Sequence, residues 1–101
     1  MAAGNGNAFV AVSDGVYRLE AALTFATVAR LRPKGMQIIE AQSQGLTLDL
    51  KAVPNADSAG LALLIDWLAY ARSQSRTLKY SEPSAALLSL ARLSDVEKLI
   101  A

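Results

Sequence analysis

Apolar residues arrive along the chain in short blocks whose period changes from two to three-to-four and back, and each change marks an element. Ala8 to Val12 reads as a strand, Ser13-Asp14-Gly15 as a tight turn with Gly15 free to take positive φ, and Val16 to Glu20 as a second strand, together a hairpin. From Thr24, which can cap, Phe25, Val28 and Leu31 recur at helical spacing until Pro33 and Gly35 interrupt the pattern. Met36, Ile38 and Ile39 with polar Glu40 and Gln42 then predict a short amphipathic helix, capped near Gly45. Leu46-Thr47-Leu48-Asp49-Leu50 returns to period two and predicts a strand, followed by a loop through Pro54 and Asn55. A long helix begins at Asp57 or Ser58 and runs to about Ser73, and Thr77 to Tyr80 is a fourth strand. Pro83 stands where the first turn of a helix accepts proline, and that helix extends to Arg92. Ser94-Asp95-Val96-Glu97 has the form of a capping box before a short terminal helix.

Two strand-helix-strand passages, each with helix enough for a right-handed crossover, predict an α/β fold with a mixed sheet and helices packed against it. At 101 residues the chain can bury one core, so residues 8–101 are expected to form one domain. The glycine- and asparagine-rich segment Met1 to Asn7 is expected to be disordered.

Composition narrows the chemistry. Cysteine and histidine are both absent, which removes disulfides, thiolate nucleophiles, imidazole bases and the usual zinc ligands together. The remaining carboxylates are scattered, Ser58 has no histidine to act as its base, and no phosphate loop or dinucleotide fingerprint occurs. The expectation is therefore no catalytic residue, no metal and no cofactor. Formal charge is +1, and the one close basic cluster, Arg30, Arg32 and Lys34, lacks the interleaved aromatics that stack bases, so it reads as a solvated helix end and no nucleic-acid partner is expected. No uninterrupted run of about 18 apolar residues is present, which excludes a transmembrane helix and predicts no direct membrane insertion. The first ten residues carry no positive segment leading into an apolar stretch and do not read as an export signal, so a cytoplasmic location is expected.

The helix from Leu61 to Arg72 carries the functional signal. At 100° per residue Leu61, Leu64, Ile65 and Leu68 gather on the side expected to cover the sheet. The opposite side holds Leu63, Asp66, Trp67 and Tyr70, where a solvated helix would place lysine or glutamate. Tryptophan and tyrosine beside leucine form the kind of anchor that dominates protein interfaces, so these four are expected at or beside a partner-binding surface. At the start of the helix, Asp57 or Ser58 can cap the first turn, and Gly60 permits close backbone approach. A phosphoryl group on Ser58 would meet helix amides and place about two negative charges beside Asp57.

The stretch Val53-Pro54-Asn55-Ala56-Asp57-Ser58-Ala59-Gly60-Leu61-Ala62-Leu63-Leu64, with the strand before it and the Leu23-Thr24-Phe25 entry to the first helix, resembles the loop and helix start of STAS domains. That resemblance implies a STAS-type fold, with a mixed sheet of four or five strands and helices mainly on one face. Asn55, Asp57, Ser58 and Gly60 match the family's characteristic loop and helix start, and Ser58 falls on the serine that anti-sigma-factor antagonists offer to a partner kinase. Gly60 to Leu64 is more similar to the MlaB-like branch, whose hydroxyl residue is threonine where this chain has Ser58. For that branch the resemblance implies a non-catalytic cytoplasmic subunit. Such a subunit is held at the inner membrane by the MlaF-like ATPase of a phospholipid-transport ABC complex that serves outer-membrane lipid asymmetry. The alternative partner is an anti-sigma factor kinase.

Overall fold

The computed structural model describes residues 8–100. Met1 to Asn7, expected to be disordered, lie outside the described residues. The elements are β1 (Phe9–Ser13), β2 (Val16–Leu19), α1 (Val28–Ala41), β3 (Leu46–Asp49), α2 (Ser58–Ser73), β4 (Leu78–Ser81), α3 (Ala85–Leu93) and α4 (Glu97–Ile100). The described strands form a four-stranded sheet in the order β1-β2-β3-β4. β1 pairs antiparallel with β2 across the Asp14-Gly15 turn, where Gly15 takes φ +73°, and the register shifts between Ala11 and Ser13. β2 with β3 and β3 with β4 are parallel. Right-handed crossovers that advance in one direction along a sheet deliver their helices to the same face. α1 and α2 therefore both cover one face, and the sheet is mixed because only the first connection is a hairpin.

Strand alternation separates the two faces. Phe9, Leu19, Leu46 and Leu48 point into the core and are buried, whereas Arg18, Thr47, Asp49, Lys79 and Ser81 occupy the alternate positions of the uncovered face. The core continues through Leu23, Leu31, Ile39, Leu50, Leu61, Leu64, Leu87 and Ile100, and each fully buried side chain of this size contributes about 1.5–3 kcal/mol. The Tyr80 hydroxyl donates to the Leu64 carbonyl at 2.6 Å, tying β4 to the middle of α2.

Several local expectations need correction. Thr24 does not cap α1, whose N-cap is Thr27, and Pro83 precedes the Ser84 N-cap of α3 instead of standing in its first turn. The first helix is not broken at Pro33 and Gly35, since α1 runs continuously from Val28 to Ala41 with Pro33 inside it. Proline removes one intrahelical bond there, but tertiary packing holds the helix together, and Gly35 is small because the Trp67 indole lies against it. Phe25 is not part of the helical stripe. It precedes α1 and is 83% exposed. The Ser94–Glu97 capping box does not form, because Ser94 closes α3, its amide reaching the carbonyls of Leu90 and Arg92, and the Glu97 carboxylate pairs with Arg92 at 2.8 Å. Asp95 at φ +59° and the Val96 amide bonded to the Ala91 carbonyl complete that turn, which leaves no room for a separate cap.

Candidate functional site

The site forms where two loops at one end of the sheet are joined edge to edge. Beyond β3 the chain buries Leu50 and Val53 and passes through exposed Pro54 and Asn55. It then lies alongside the segment after β2: the Leu23 amide donates to the Asn55 carbonyl at 2.9 Å, and the Asp57 amide donates to the Leu23 carbonyl at 3.0 Å. Leu23 and Ala56 thereby form an isolated parallel bridge.

Asp57 is the N-cap of α2. One carboxylate oxygen accepts from the Ala59 and Gly60 amides at 3.0 and 3.1 Å, and the other accepts from the Phe25 amide at 3.0 Å. One side chain therefore caps α2 and holds the approach to α1. These bonds, led by that from Phe25 and followed by that from Gly60, hold the Asp57 carboxyl below the usual aspartate range. A depressed native pKa means stability that is present above the ordinary aspartate pKa and lost as pH falls through the lowered native value. Asp57→Asn, which keeps an acceptor oxygen but cannot titrate, is expected to flatten the fall in urea midpoint between about pH 5 and pH 2. An unchanged acid limb would show that this carboxylate is not part of it.

Gly60 completes the junction. A Cβ at this position would overlap the backbone carbonyl of Leu23, so α2 can approach the loop only with glycine there. Ser58, at the first helical position, is exposed, and its hydroxyl makes no hydrogen bond among the described residues. The expectation that a phosphoryl group on Ser58 would meet the helix amides changes in one respect. The amides of Ala59 and Gly60 are already bonded to Asp57, so added charge at Ser58 would face outward beside an ionised carboxylate.

Leu63, Asp66, Trp67 and Tyr70 do not form the outward face that helical phase assigned to them. Trp67 is 1% exposed, its ring edge-on to Phe9 with centroids 5.8 Å apart, and its indole N–H donates to the Arg32 carbonyl at 3.1 Å. Asp66 pairs with Arg32 at 2.6 Å, and the Tyr70 hydroxyl donates to the Glu40 carboxylate. Leu63, 5% exposed, lies at the bottom of a shallow groove between α1 and α2. All four belong to the α1–α2 contact. The physical reason is that α2 is covered twice, by the sheet and by α1, so two opposed apolar sides are both interior. Leu61 and Leu64 are buried as expected, while Ile65 and Leu68 are half-buried.

The exposed residues of α2 are the small Ser58, Ala62 and Ala69 along one arc, with Arg72 and Ser73 at its C-terminal end. Across the groove α1 presents Ala29, and the exposed Phe25 precedes α1, its amide held by the Asp57 cap of α2. The groove is walled by Val28, Ala29, Ala59 and Ala62, with the Arg32–Asp66 pair closing one end. Sequence reasoning missed Phe25 and Ala62. No periodic signal in the sequence marks either residue.

Among the described residues no three His, Cys, Asp or Glu side chains gather to hold a metal, and no helix is long and apolar enough to cross a membrane. A search of curated protein sequences returned no match. Among solved structures, the chain is similar to a putative anti-sigma factor antagonist from Thermotoga maritima, with TM-score 0.73 and 15% identity over 91% of this chain and 80% of that one. It is also similar to the anti-sigma factor antagonist SpoIIAA in its unphosphorylated form, with TM-score 0.70 and 17% identity over 92% and 84% of the two chains. At such identities the likeness establishes the fold. The sequence pattern of the family described as "Mlab, STAS domain" matches residues 11–101, a span that begins within β1 and takes in every element after it. The chain belongs to the MlaB-type STAS domain family, whose members are non-catalytic modules that work by binding other proteins.

Proposed function

We propose that this chain is a subunit of an Mla-type phospholipid-transport ABC complex and binds its cytoplasmic ATPase through the face built from Phe25, Ala29, Ser58 and Ala62. The observation that carries the reading is Phe25, left 83% exposed in the loop that Asp57 ties to the start of α2, in the part of the chain that the family pattern covers. A lone exposed aromatic tied by its amide to the start of α2, where the open positions are Ser58 and Ala62, offers a rigid anchor, and small side chains there admit a close partner. Asn55, Asp57 and Gly60 shape this face rather than contact the partner, and Trp67, Asp66 and Tyr70 hold α1 and α2 at the spacing that forms the groove. Residues 8–101 act as one unit in this reading, located in the cytoplasm at the inner membrane through the ATPase.

Purified MlaF-type ATPase mixed with this chain is expected to elute as a complex. Phe25→Ala should weaken that complex by about tenfold or more, because a truncated anchor costs over about 1 kcal/mol, while leaving the melting temperature unchanged. Phe25→Ala binding as well as the parent chain would remove this face from the interface.

A second reading is favoured by the free hydroxyl of Ser58: an anti-sigma-factor antagonist switched by phosphorylation. The Ser58 oxygen would attack the γ-phosphorus of ATP bound by a partner kinase, releasing ADP and passing the hydroxyl proton to the kinase. Copurification separates the two, since the first predicts an ABC ATPase and the second a small serine kinase with its sigma factor. Ser58→Glu is expected to weaken docking in either case, by placing a second anion beside Asp57, whereas Ser58→Ala should dock normally.

A further inference from the structure

We propose that the C-terminal end of α2 carries a second docking groove, about 22 Å along the helix from Ser58, which takes an acidic, leucine-containing segment of a partner protein. The groove lies between the end of α2, the start of β4 and α4. Its apolar surface comes from Leu68, Leu78 and Leu99, and Leu99 is left 49% exposed. Its cations are Arg72, Arg76 and Lys98, and no aspartate or glutamate lines it.

The charge is unneutralised. The ion pairs among the described residues are Arg18 with Glu20, Arg32 with Asp66 and Arg92 with Glu97, so none of the three groove cations has a carboxylate partner among those residues. Arg76 is nevertheless fixed, its guanidinium donating to the Glu40 carbonyl at 3.2 Å and to the Gln74 carbonyl at 3.4 Å. A cation held by neutral carbonyls keeps its full charge in a set position, and much of the entropy cost of ordering it for a ligand has already been met. The dipole at the end of α2 accounts for Arg72 alone. It explains neither Lys98, on another helix, nor the apolar surface open between the cations.

Charge complementarity selects the occupant. Carboxylates of a peptide can reach Arg72 and Lys98 while one apolar side chain covers Leu99 and Leu68, and Arg76, whose guanidinium is held at the end of α1, adds to the positive field. A lipid surface fits less well, because the cations surround a concavity instead of projecting from a convex face.

Fluorescence polarisation of the full chain against a short labelled peptide of glutamate and leucine tests this. Binding is expected to weaken by about tenfold with Lys98→Glu, and again on adding salt. The peptide with lysine in place of glutamate should not bind, and Phe25→Ala should leave the affinity unchanged, which separates this groove from the ATPase face. Lys98 is exposed on a short terminal helix, so its variant should fold; Arg72→Gln supplies the same test from the other side of the groove. Equal binding of the acidic and basic peptides, or indifference to both substitutions, would overturn the proposal. So would binding to phosphatidylglycerol vesicles without binding to the peptide, since the patch would then be a membrane contact.

Discussion

Trp67→Ala is expected to lower the unfolding free energy by about 3–5 kcal/mol, the range for truncating a large buried aromatic. Three losses coincide. The indole is 1% exposed, its contact with the Phe9 ring goes, and the space between α1 and α2 that Gly35 was small enough to leave for it becomes a cavity. For a domain whose whole stability is about 5–15 kcal/mol this is a large fraction, equivalent to a fall in melting temperature of some 12–40 °C. Urea and thermal unfolding measure it. Trp67→Phe, which keeps a ring but removes the N–H to the Arg32 carbonyl, should lose less. Had Trp67 been a docking anchor, alanine would have left stability intact and removed binding alone.

Gly60→Ala sets two effects of opposite sign against each other. In the interior of a helix alanine is favoured over glycine by about 1 kcal/mol, and a less flexible unfolded chain adds to this. Against it, the new methyl would overlap the backbone carbonyl of Leu23, and a backbone atom cannot rotate aside as a side chain can. The two segments must separate, which strains the bond from the Asp57 amide to Leu23 and the clip from Asp57 to the Phe25 amide. Overpacking of this kind costs about 1–3 kcal/mol and more when backbone must move, so the steric term wins. A net loss of about 1–2 kcal/mol is expected in equilibrium unfolding, together with weaker ATPase binding because Phe25 is no longer held in place. A variant more stable than the parent would mean that helix propensity outweighs the contact with Leu23.

The alternation of Leu46, Leu48 and Leu50, the hairpin turn at Gly15 and the uninterrupted apolar helix after Asp57 made the order of elements along the chain and the α/β layering legible before any coordinates. The sheet register follows from period-two patterns that place one residue in two on the core side. The Asp57-Ser58-Gly60 start of α2 was legible for the same reason: an oxygen acceptor at the cap and a glycine two residues into the helix each have a local meaning. The partner-facing surface was not legible, because helical phase describes one helix and α2 is enclosed by two neighbours. Leu63 and Trp67 look outward on an isolated wheel, and only the position of α1 turns them inward. Pro33 and Gly35 misled in the same way. As local signals they end a helix, and the reason they do not is Trp67, more than 30 residues further along the chain. Phe25 and Ala62 were missed because an exposed phenylalanine and a surface alanine carry no pattern of their own.

The central claim is that the surface around Phe25, Ser58 and Ala62 is where this module meets its partner. Titration calorimetry of Ala62→Arg against the purified MlaF-type ATPase tests it most directly, since Ala62 is exposed and its replacement adds bulk and charge at the middle of the face without touching the core. The expected result is a fold and melting temperature like those of the parent chain, with affinity lowered by about a hundredfold, or about 2.7 kcal/mol. Parental affinity in a folded Ala62→Arg variant would contradict the account.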